Sequence, residues 1–245
     1  NVPLEEELRD ALRPNMQQLW NDLRPRGAVD LNAEVRYLSA QREFHVAVQA
    51  RPQSENTWIE PVLFPYRMEK LQGVLDYRDG RVTLQGMRGV HGAVKATADG
   101  YCDFRPDGSW LFRLDALNVD RLPPDRDLMQ AVPNRLRKVL ADVNPSGPVN
   151  LRGEIEFEHG SVPTDPLHAR WNLLVGMERG GLDCGLKLDN LSGEIALAGE
   201  FDGQAMRCRG ELNIDSFTYK DVQFTQVRGP LSIDDDQVLL GSWVD

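Results

Sequence analysis

The chain has 245 residues, of which 41% are hydrophobic and 27% charged, so it is long enough to bury a sizeable core. Its net charge of −10, without a basic stripe, argues against nucleic acid and anionic lipid headgroups as partners, but not against uncharged acyl chains. The sequence has no run of about 20 apolar residues that would predict a membrane span, no signal peptide and no initiator Met. We therefore expect a fragment of a longer protein, with any targeting or anchoring segment outside it.

The sequence repeats itself at an offset of about 120 residues. The register runs without a gap from Pro3 to Tyr37, and it returns near Leu71. We predict two tandem repeats, 1–120 and 121–245, which could share one continuous sheet. The identical pairs include Pro3/Pro123, Leu8/Leu128, Pro25/Pro145, Gly27/Gly147, Leu71/Leu191 and Gly73/Gly193.

A helical segment is predicted at the start of each repeat. In the second repeat, prolines and acidic residues precede apolar residues spaced three and four apart, which is typical of a helix start and an amphipathic helix. Pro133 interrupts this pattern, so we expect a kink or two short helices. The first repeat shows the same pattern over residues 5–23.

An alternating strand is predicted directly after each helical segment. Apolar and polar residues alternate there, which describes a strand with one apolar and one polar face. Return strands follow around Val46 and Leu173. The apolar residues are candidates for a protein core or for a lipid-binding groove, and the pattern does not choose between them. These candidates are Val29, Leu31, Val35, Tyr37, Val149, Leu151, Ile155 and Phe157.

Short hairpins are predicted in the rest of each repeat. Asp79-Gly80 between two apolar runs is a strong hairpin signal, because Gly accepts a positive φ without strain. Similar hairpins begin at Leu191 and Val227. The predicted fold is mainly β with short helices: an antiparallel meander or curved open sheet of tandem hairpins, with a helical insert beginning each repeat.

No polar cluster in the sequence forms a catalytic set. His159 follows Glu154, Glu156 and Glu158, which would suit a metal site, but these glutamates also fit the solvated face of a strand. The acidic run 234–236 fits a hairpin turn better than a calcium loop. Because the sequence contains no nucleophile elbow, phosphate loop or nucleophile–base pair, we expect no enzyme activity, no metal and no cofactor.

Cysteines and tryptophans leave alternatives open. The three cysteines fit buried apolar residues, and a single Cys184–Cys208 disulfide in an oxidising compartment is the alternative. Trp20 aligns with a leucine of the second repeat and is assigned to the core. Three further tryptophans are either packed or surface platforms for sugars. They are Trp58, Trp110 and Trp243.

The hairpin pattern resembles the repeating β units of AsmA-like proteins. The resemblance covers most of the chain but not the loops 53–61 and 160–168, and its motifs are glycines and alternating apolar residues. The helical insert is similar to the inserts between such units in large bacterial members. The segments that carry the resemblance are 71–73, 79–84, 89–92, 122–147, 191–195 and 208–214.

Membership of this group, which includes TamB-like and bridge-like lipid-transfer proteins, implies a location and a role. Such proteins are usually anchored in the inner membrane, extend a β-rich part into the periplasm and act in outer-membrane lipid homeostasis and assembly. We therefore expect a non-enzymatic bacterial envelope scaffold that binds or conducts lipid. Its expected partners are phospholipid acyl chains and envelope proteins, with the membrane anchor outside this fragment. The alternative is a structural or adhesive β module that binds protein or carbohydrate.

Overall fold

The protein, represented by a computed structural model, forms two compact units. Because residues 156–167 join the first unit, the units and the two predicted sequence repeats do not divide the chain in the same way. The structure describes residues 1–39, 43–162, 164–234 and 237–241. The first unit consists of 1–116 and 156–167, and the second of 117–155 and 168–245.

Two short helices begin each repeat. The break in each pair falls at a proline, Pro14 in the first repeat and Pro133 in the second, because proline removes a backbone donor and clashes with the preceding turn. The Asp125 carboxylate caps the third helix by accepting a hydrogen bond of 3.0 Å from the Leu128 backbone N–H. The helices are α1 (Glu6–Asp10), α2 (Pro14–Leu23), α3 (Arg126–Ala131) and α4 (Asn134–Val143).

The strands are hydrogen-bonded in nearly sequential order. Their bounds are β1 (Val2–Pro3), β2 (Ala28–Leu38), β3 (Glu43–Pro52), β4 (Glu69–Arg78), β5 (Arg81–His91), β6 (Val94–Phe104), β7 (Trp110–Leu122), β8 (Pro145–Ser146), β9 (Val149–His159), β10 (Leu167–Asp183), β11 (Lys187–Phe201), β12 (Met206–Tyr219), β13 (Val222–Asp234) and β14 (Gln237–Leu240).

Each unit contains an open antiparallel sheet. In the first unit the order is β1-β2-β3-β4-β5-β6-β7, followed by the end of β9. In the second unit the end of β7 is followed by β9-β10-β11-β12-β13-β14, and β8 pairs with β10. Within each unit the neighbouring strands run antiparallel, which confirms the predicted mainly β fold class with short helices.

The duplication extends to unusual backbone angles. Helix α2 ends at Arg24 with φ 48°, and helix α4 ends at the aligned Asn144 with φ 41°, both in the left-handed region. In each case the capping N–H donates to a carbonyl in the last turn, which satisfies an otherwise unpaired acceptor. The two helical inserts therefore end with the same left-handed C-terminal cap.

The Leu-x-Gly motifs mark irregularities of the sheet. Gly73 and Gly193 both have positive φ, 126° and 152°, and the strand register shifts beside each of them. A Cβ on Gly73 would lie 2.6 Å from Met87 Sδ, and one on Gly193 would lie 2.6 Å from the Asn213 backbone oxygen. Glycine is required at both positions for φ and for space.

Each unit has its own apolar core. In the first unit, Cys102, Phe104 and Trp110 are buried, and Met16 and Leu19 of α2 pack against them. We call this group the Cys102 cluster; its other partly buried members are Val82, Phe112, Phe157 and Leu167. In the second unit, the Met177 cluster contains Met177, Leu191 and Ile214 with Val149, Leu182, Leu188 and Phe217.

Candidate functional site

Strand β2 of the first unit has one apolar side that is largely open to solvent. Its odd-numbered residues lie on one side, because side chains alternate along a strand with an unbroken register. Val29, at the start, is buried. Beyond it, Leu31, Val35 and Tyr37 are 38%, 62% and 54% exposed. Three large apolar side chains therefore lie exposed in a row on one strand.

The register extends this row across neighbouring strands. Val35 lies opposite Val46, and Ala33 lies opposite Val48, both on β3. We call Leu31, Val35 and Tyr37 together with Val46 and Val48 the β2–β3 apolar face. The same side continues through Val48↔Tyr77, Tyr77↔Val82 and Val82↔Cys102, and so reaches the Cys102 cluster. One continuous apolar side is thus covered by α2 at β5–β7 and exposed at β2.

The opposite side of the same strands is charged. Arg36 Nε lies 2.6 Å from Glu34 Oε1, and Arg78 Nε lies 2.8 Å from Asp76 Oδ1. His45 Nδ1 lies 3.4 Å from Asp79 Oδ1 beside a cavity of about 370 Å³. Exposed pairs of this kind contribute little stability, but they keep this side hydrated. Strands β2 and β3 therefore have one charged, hydrated face and one apolar face.

The second-repeat candidates are more covered than those on β2. Phe157 packs against the Cys102 cluster, with its ring centroid 6.4 Å from that of Phe112. Val149 packs against the Met177 cluster. Leu151 and Ile155 are half-buried. Of the eight candidates, Val29, Val149 and Phe157 thus belong to a core, and Leu31, Val35 and Tyr37 carry the open face.

Several other apolar residues are exposed that the sequence did not single out. The loop before β4 exposes Val62, Leu63 and Phe64. In the sequence, these residues are recognisable as an apolar run between two prolines. In the second unit, Val222, Phe224 and Val227 are exposed on β13, and the Phe217 and Phe224 rings stack 5.1 Å apart. On β13, Val222 and Phe224 alternate with polar Gln223 and Thr225, a pattern that does not indicate whether the apolar side is covered.

The loop 53–61, which the family resemblance does not explain, supports α2 and β2. Thr57 is buried, and its hydroxyl donates to the carbonyls of Ala28 and Gln53 at 2.7 and 2.8 Å. The Glu60 backbone N–H donates to the Leu23 carbonyl at 3.1 Å, at the helix end. This loop therefore has a structural role.

His159 is buried in the first unit. Its Nδ1 lies 2.9 Å from the Gly160 carbonyl oxygen and its Nε2 lies 3.3 Å from Gln18 Nε2, so a neutral ring with a proton on Nδ1 satisfies both contacts. Its ring stacks on Trp110 at 5.7 Å. Burial raises the pKa of nearby Asp22, and a protonated His159 would oppose that effect.

The glutamates near His159 are engaged in ion pairs. Glu156 Oε2 lies 3.3 Å from Arg113 Nη1, and Glu158 Oε1 lies 2.9 Å from Arg105 Nη1. No group of three metal-ligating side chains occurs among the residues that the structure describes. A metal site would need several side chains that converge on one point. The two glutamates instead form salt bridges beside the packed His159 ring.

The tryptophans divide between core and surface. Trp110 is buried, so the sugar-platform interpretation is wrong for it. Trp58 is half-buried and its ring is covered by the Arg67 guanidinium, 4.1 Å from the ring centroid. Trp20, expected in the core, is half-buried and lines a cavity of about 320 Å³ between α1 and α2. Trp243 lies outside the described residues.

All three cysteines are free. Cys102 and Cys208 are buried, as expected for small apolar residues, whereas Cys184 is exposed, which corrects that expectation. The alternative Cys184–Cys208 disulfide is not formed. Burial raises the pKa of the Cys102 thiol to about 12 and also raises the pKa of Cys208.

No known protein family, curated protein or solved structure matches this chain. Within the described part of the chain, no helix is both long enough and apolar enough to cross a membrane.

Proposed function

We propose that this chain is a non-enzymatic scaffold that binds phospholipid acyl chains on the β2–β3 apolar face. One observation carries the proposal: Leu31, Val35 and Tyr37 stay 38–62% exposed on a sheet side that elsewhere forms a core. Exposed apolar side chains in a contiguous row are typical of a surface that meets another apolar surface.

The dimensions of the face suit an acyl chain. From Leu31 to Tyr37, the exposed part of β2 extends about 20 Å at about 3.3 Å per residue. One leaflet of a bilayer has hydrocarbon about 15 Å deep, half of a core of about 30 Å. Each methylene buried there would contribute about 0.8 kcal/mol. A single chain lying along β2 would thus meet apolar surface over its whole length.

The charge of the protein favours contact with acyl chains over contact with headgroups. The net charge is −10, and the face opposite the apolar one carries paired charges such as Arg36–Glu34. Anionic headgroups attract basic clusters, which this chain lacks. We infer that a bound lipid lies with its tail on the apolar face and its headgroup in solvent.

The resemblance to AsmA-like proteins gives the proposal its setting. An open antiparallel sheet of tandem hairpins with helical inserts is compatible with such a protein. We propose that the chain is part of an envelope protein anchored in the inner membrane, with the sheet in the periplasm. There it would take part in outer-membrane biogenesis as a lipid-binding or lipid-conducting segment, together with other envelope proteins.

The test is lipid recovery from matched variants. The chain is expressed in bacteria, purified without detergent, and examined by native mass spectrometry and organic extraction. Replacing Leu31 and Val35 by Asn should reduce the recovered phospholipid by about tenfold, because two apolar contacts become polar. Replacing Asn32 and Glu34 by Ala on the opposite face of the same strand should leave it unchanged.

Two results would overturn the proposal. One is wild-type protein that carries no phospholipid and takes none from vesicles of phosphatidylethanolamine and phosphatidylglycerol. The other is equal loss in both variants, with circular dichroism showing that both are folded. A wild-type protein without lipid that instead retains a protein or glycan would favour the alternative, a structural or adhesive β module.

A further inference from the structure

The cavity of about 320 Å³ between α1 and α2 is lined by side chains of both charges. Glu5 and Glu6 lie at the start of α1, and Arg24 and Arg26 lie in the segment that follows α2. The half-buried Trp20 of α2 also lines the cavity. Sites for small molecules usually have volumes of about 300–1,000 Å³. The cavity therefore has the size of a site for a small ligand.

The charges around the cavity do not neutralise one another. Neither Arg24 nor Arg26 forms an ion pair among the residues that the structure describes, and Glu5 forms none either. Glu6 Oε1 lies 3.8 Å from Arg9 Nη1 of the same helix. A ligand that carries both charges can pair with both sets of side chains. A simple anion or cation meets one attractive and one repulsive set, so the cavity disfavours it.

Backbone contacts fix the segments that carry these charges. Arg24 caps α2 in the left-handed region, with φ 48°. The Arg26 N–H donates to the Trp58 carbonyl oxygen at 2.9 Å, and the Trp58 N–H donates back to the Arg26 carbonyl oxygen at 3.0 Å. The Leu4 N–H donates to the Gly27 carbonyl oxygen at 2.9 Å, which ties the start of α1 to the same segment. The cavity is therefore largely preformed, which lowers the cost of binding.

The second repeat folds in the same way without these side chains. Its helix pair also ends with a left-handed cap, at Asn144. The aligned pairs that differ in charge or aromatic character are Arg9/Met129, Trp20/Leu140, Arg24/Asn144 and Arg26/Ser146. The fold of the insert thus requires neither the arginines nor the tryptophan. Their presence in the first repeat therefore favours a binding role for this cavity.

The chain that precedes a helical insert belongs to the sheet and not to this cavity. In the second unit, residues 117–122 of β7 lead into the insert and lie beside β9. The Arg121 backbone N–H donates to the Asn150 side-chain oxygen there, at 3.0 Å. A segment that precedes α1 in the same way would lie along β2. The cavity between the helices is therefore left to a ligand.

We propose that this cavity binds a small zwitterion of the phosphoethanolamine class, in which an ammonium group and a phosphate group are joined by a short linker. Arg24 and Arg26 bind the phosphate, because guanidinium groups form charge-assisted hydrogen bonds with several phosphate oxygens. Glu5 and Glu6 bind the ammonium group, and Trp20 packs against the linker. The ligand needs no acyl chain, so the inference does not rest on the β2–β3 apolar face.

The experiment titrates the full 245-residue chain by isothermal titration calorimetry. One ligand is glycerophosphoethanolamine, which carries both charges, and the other is glycerophosphoglycerol, which carries the phosphate alone. The first should bind saturably and about tenfold more tightly than the second. The variant with Glu5→Gln and Glu6→Gln should lose this preference, because it neither attracts the ammonium group nor repels the phosphate.

The arginine variant takes its residues from the second repeat. Arg24→Asn combined with Arg26→Ser should weaken the binding of glycerophosphoethanolamine about tenfold. The variant should remain folded, as circular dichroism would show, because the second repeat carries these residues at the aligned positions. The matched control combines Arg51→Asn with Arg88→Ser, which removes two exposed arginines outside the cavity and changes the net charge equally. It should bind like the wild type.

Vesicle flotation distinguishes two sources of the zwitterion, the headgroup of phosphatidylethanolamine and a free soluble ester. Vesicles of phosphatidylethanolamine and phosphatidylglycerol are compared with vesicles of phosphatidylglycerol alone. Preference for the mixed vesicles that the arginine variant loses would assign the cavity to the lipid headgroup. Binding of glycerophosphoethanolamine without that preference would assign it to a soluble ester.

Three results would overturn the inference. The first is wild-type protein that does not bind glycerophosphoethanolamine saturably. The second is equal affinity of the wild type for the two ligands, which would indicate a site for the phosphate alone. The third is an equal loss of binding in the arginine variant and its matched control. None of these results depends on acyl chains, so they are distinguishable from a failure of the acyl-chain site.

Discussion

Strands β2 and β9 are aligned copies of one sequence pattern in different surroundings. On β9, Phe157 packs into the Cys102 cluster, and Glu156 pairs with an arginine of β7. On β2, the aligned Tyr37 is 54% exposed, and Arg36 forms an ion pair with Glu34 of the same strand. The same alternation therefore builds core in one place and open surface in the other. What decides is the neighbouring strand and helix, not the pattern itself.

The largest expected contrast between covered and open positions concerns cysteine reactivity. Alkylation requires the thiolate, and burial raises the pKa of Cys102 to about 12 from an ordinary 9.0. At pH 8 its thiolate fraction falls about a thousandfold, whereas Cys184 is exposed. Iodoacetamide should thus label Cys184 first in native protein, as peptide mass spectrometry would detect. Labelling of Cys102 at the same rate as Cys184 would contradict the burial of Cys102.

Truncation of the aligned aromatic residues compares the two strands directly. Phe157→Ala should lower the free energy of unfolding by about 2–3 kcal/mol, because it leaves a cavity beside the Cys102 cluster. Tyr37→Ala should change it by less than about 0.5 kcal/mol, because Tyr37 is exposed. Urea unfolding measures both. A similar cost for the two variants would show that the face of β2 is covered.

Glycine substitution separates motifs that look alike in sequence. Gly193→Ala should cost about 1–3 kcal/mol, because Gly193 has φ 152° and a Cβ would lie 2.6 Å from a backbone oxygen. Gly229, in the related motif on β13, has nothing within 4 Å of its ideal Cβ position. Gly229→Ala should be nearly neutral by thermal unfolding. A Gly193→Ala substitution that is equally neutral would show that glycine is not required at this position.

The smallest expected effect is on the pH dependence of stability, and it distinguishes Asp22 from the aligned Asp142. Burial raises the pKa of Asp22 above its ordinary 3.8, so the folded chain holds this proton more tightly than the unfolded chain. Ionisation of Asp22 then destabilises the fold as pH rises through the raised pKa, and the penalty is absent below about pH 3.8.

Asp22→Asn should therefore raise the unfolding temperature at pH 7 but not at pH 3. Asp142 is exposed, so Asp142→Asn is the matched control and should leave the unfolding temperature nearly unchanged. Thermal unfolding at both pH values checks this. Stabilisation by Asp22→Asn that persists at pH 3 would show that the effect does not come from ionisation.

Much of the fold was predictable because its signals are local. Pro133 and the alternating residues after each insert predicted broken helices and strands, and the structure confirms both. Asp79-Gly80 predicted a hairpin turn, and both residues have positive φ between β4 and β5. Such features depend on backbone conformation and on side-chain alternation, which the sequence specifies directly.

Exposure was not predictable, because it depends on contacts between segments that are far apart in the chain. His159 lies beside three glutamates in sequence, but in the fold it stacks on Trp110 and contacts Gln18. Trp110 has no aromatic counterpart in the other repeat and suggested a surface platform, yet it is a core residue. For the eight candidates, the sequence indicated which side is apolar but not which part is covered.

Photolabelling with an acyl chain tests the central claim most directly. The chain is mixed with phosphatidylethanolamine that carries a diazirine in its acyl chain, irradiated, digested and mapped by mass spectrometry. We expect adducts on Leu31, Val35, Tyr37 or Val46, because these residues form the β2–β3 apolar face. The aligned residues of β9 should carry few. Equal labelling of β2 and β9, or no labelling of β2, would contradict the proposed acyl-chain site.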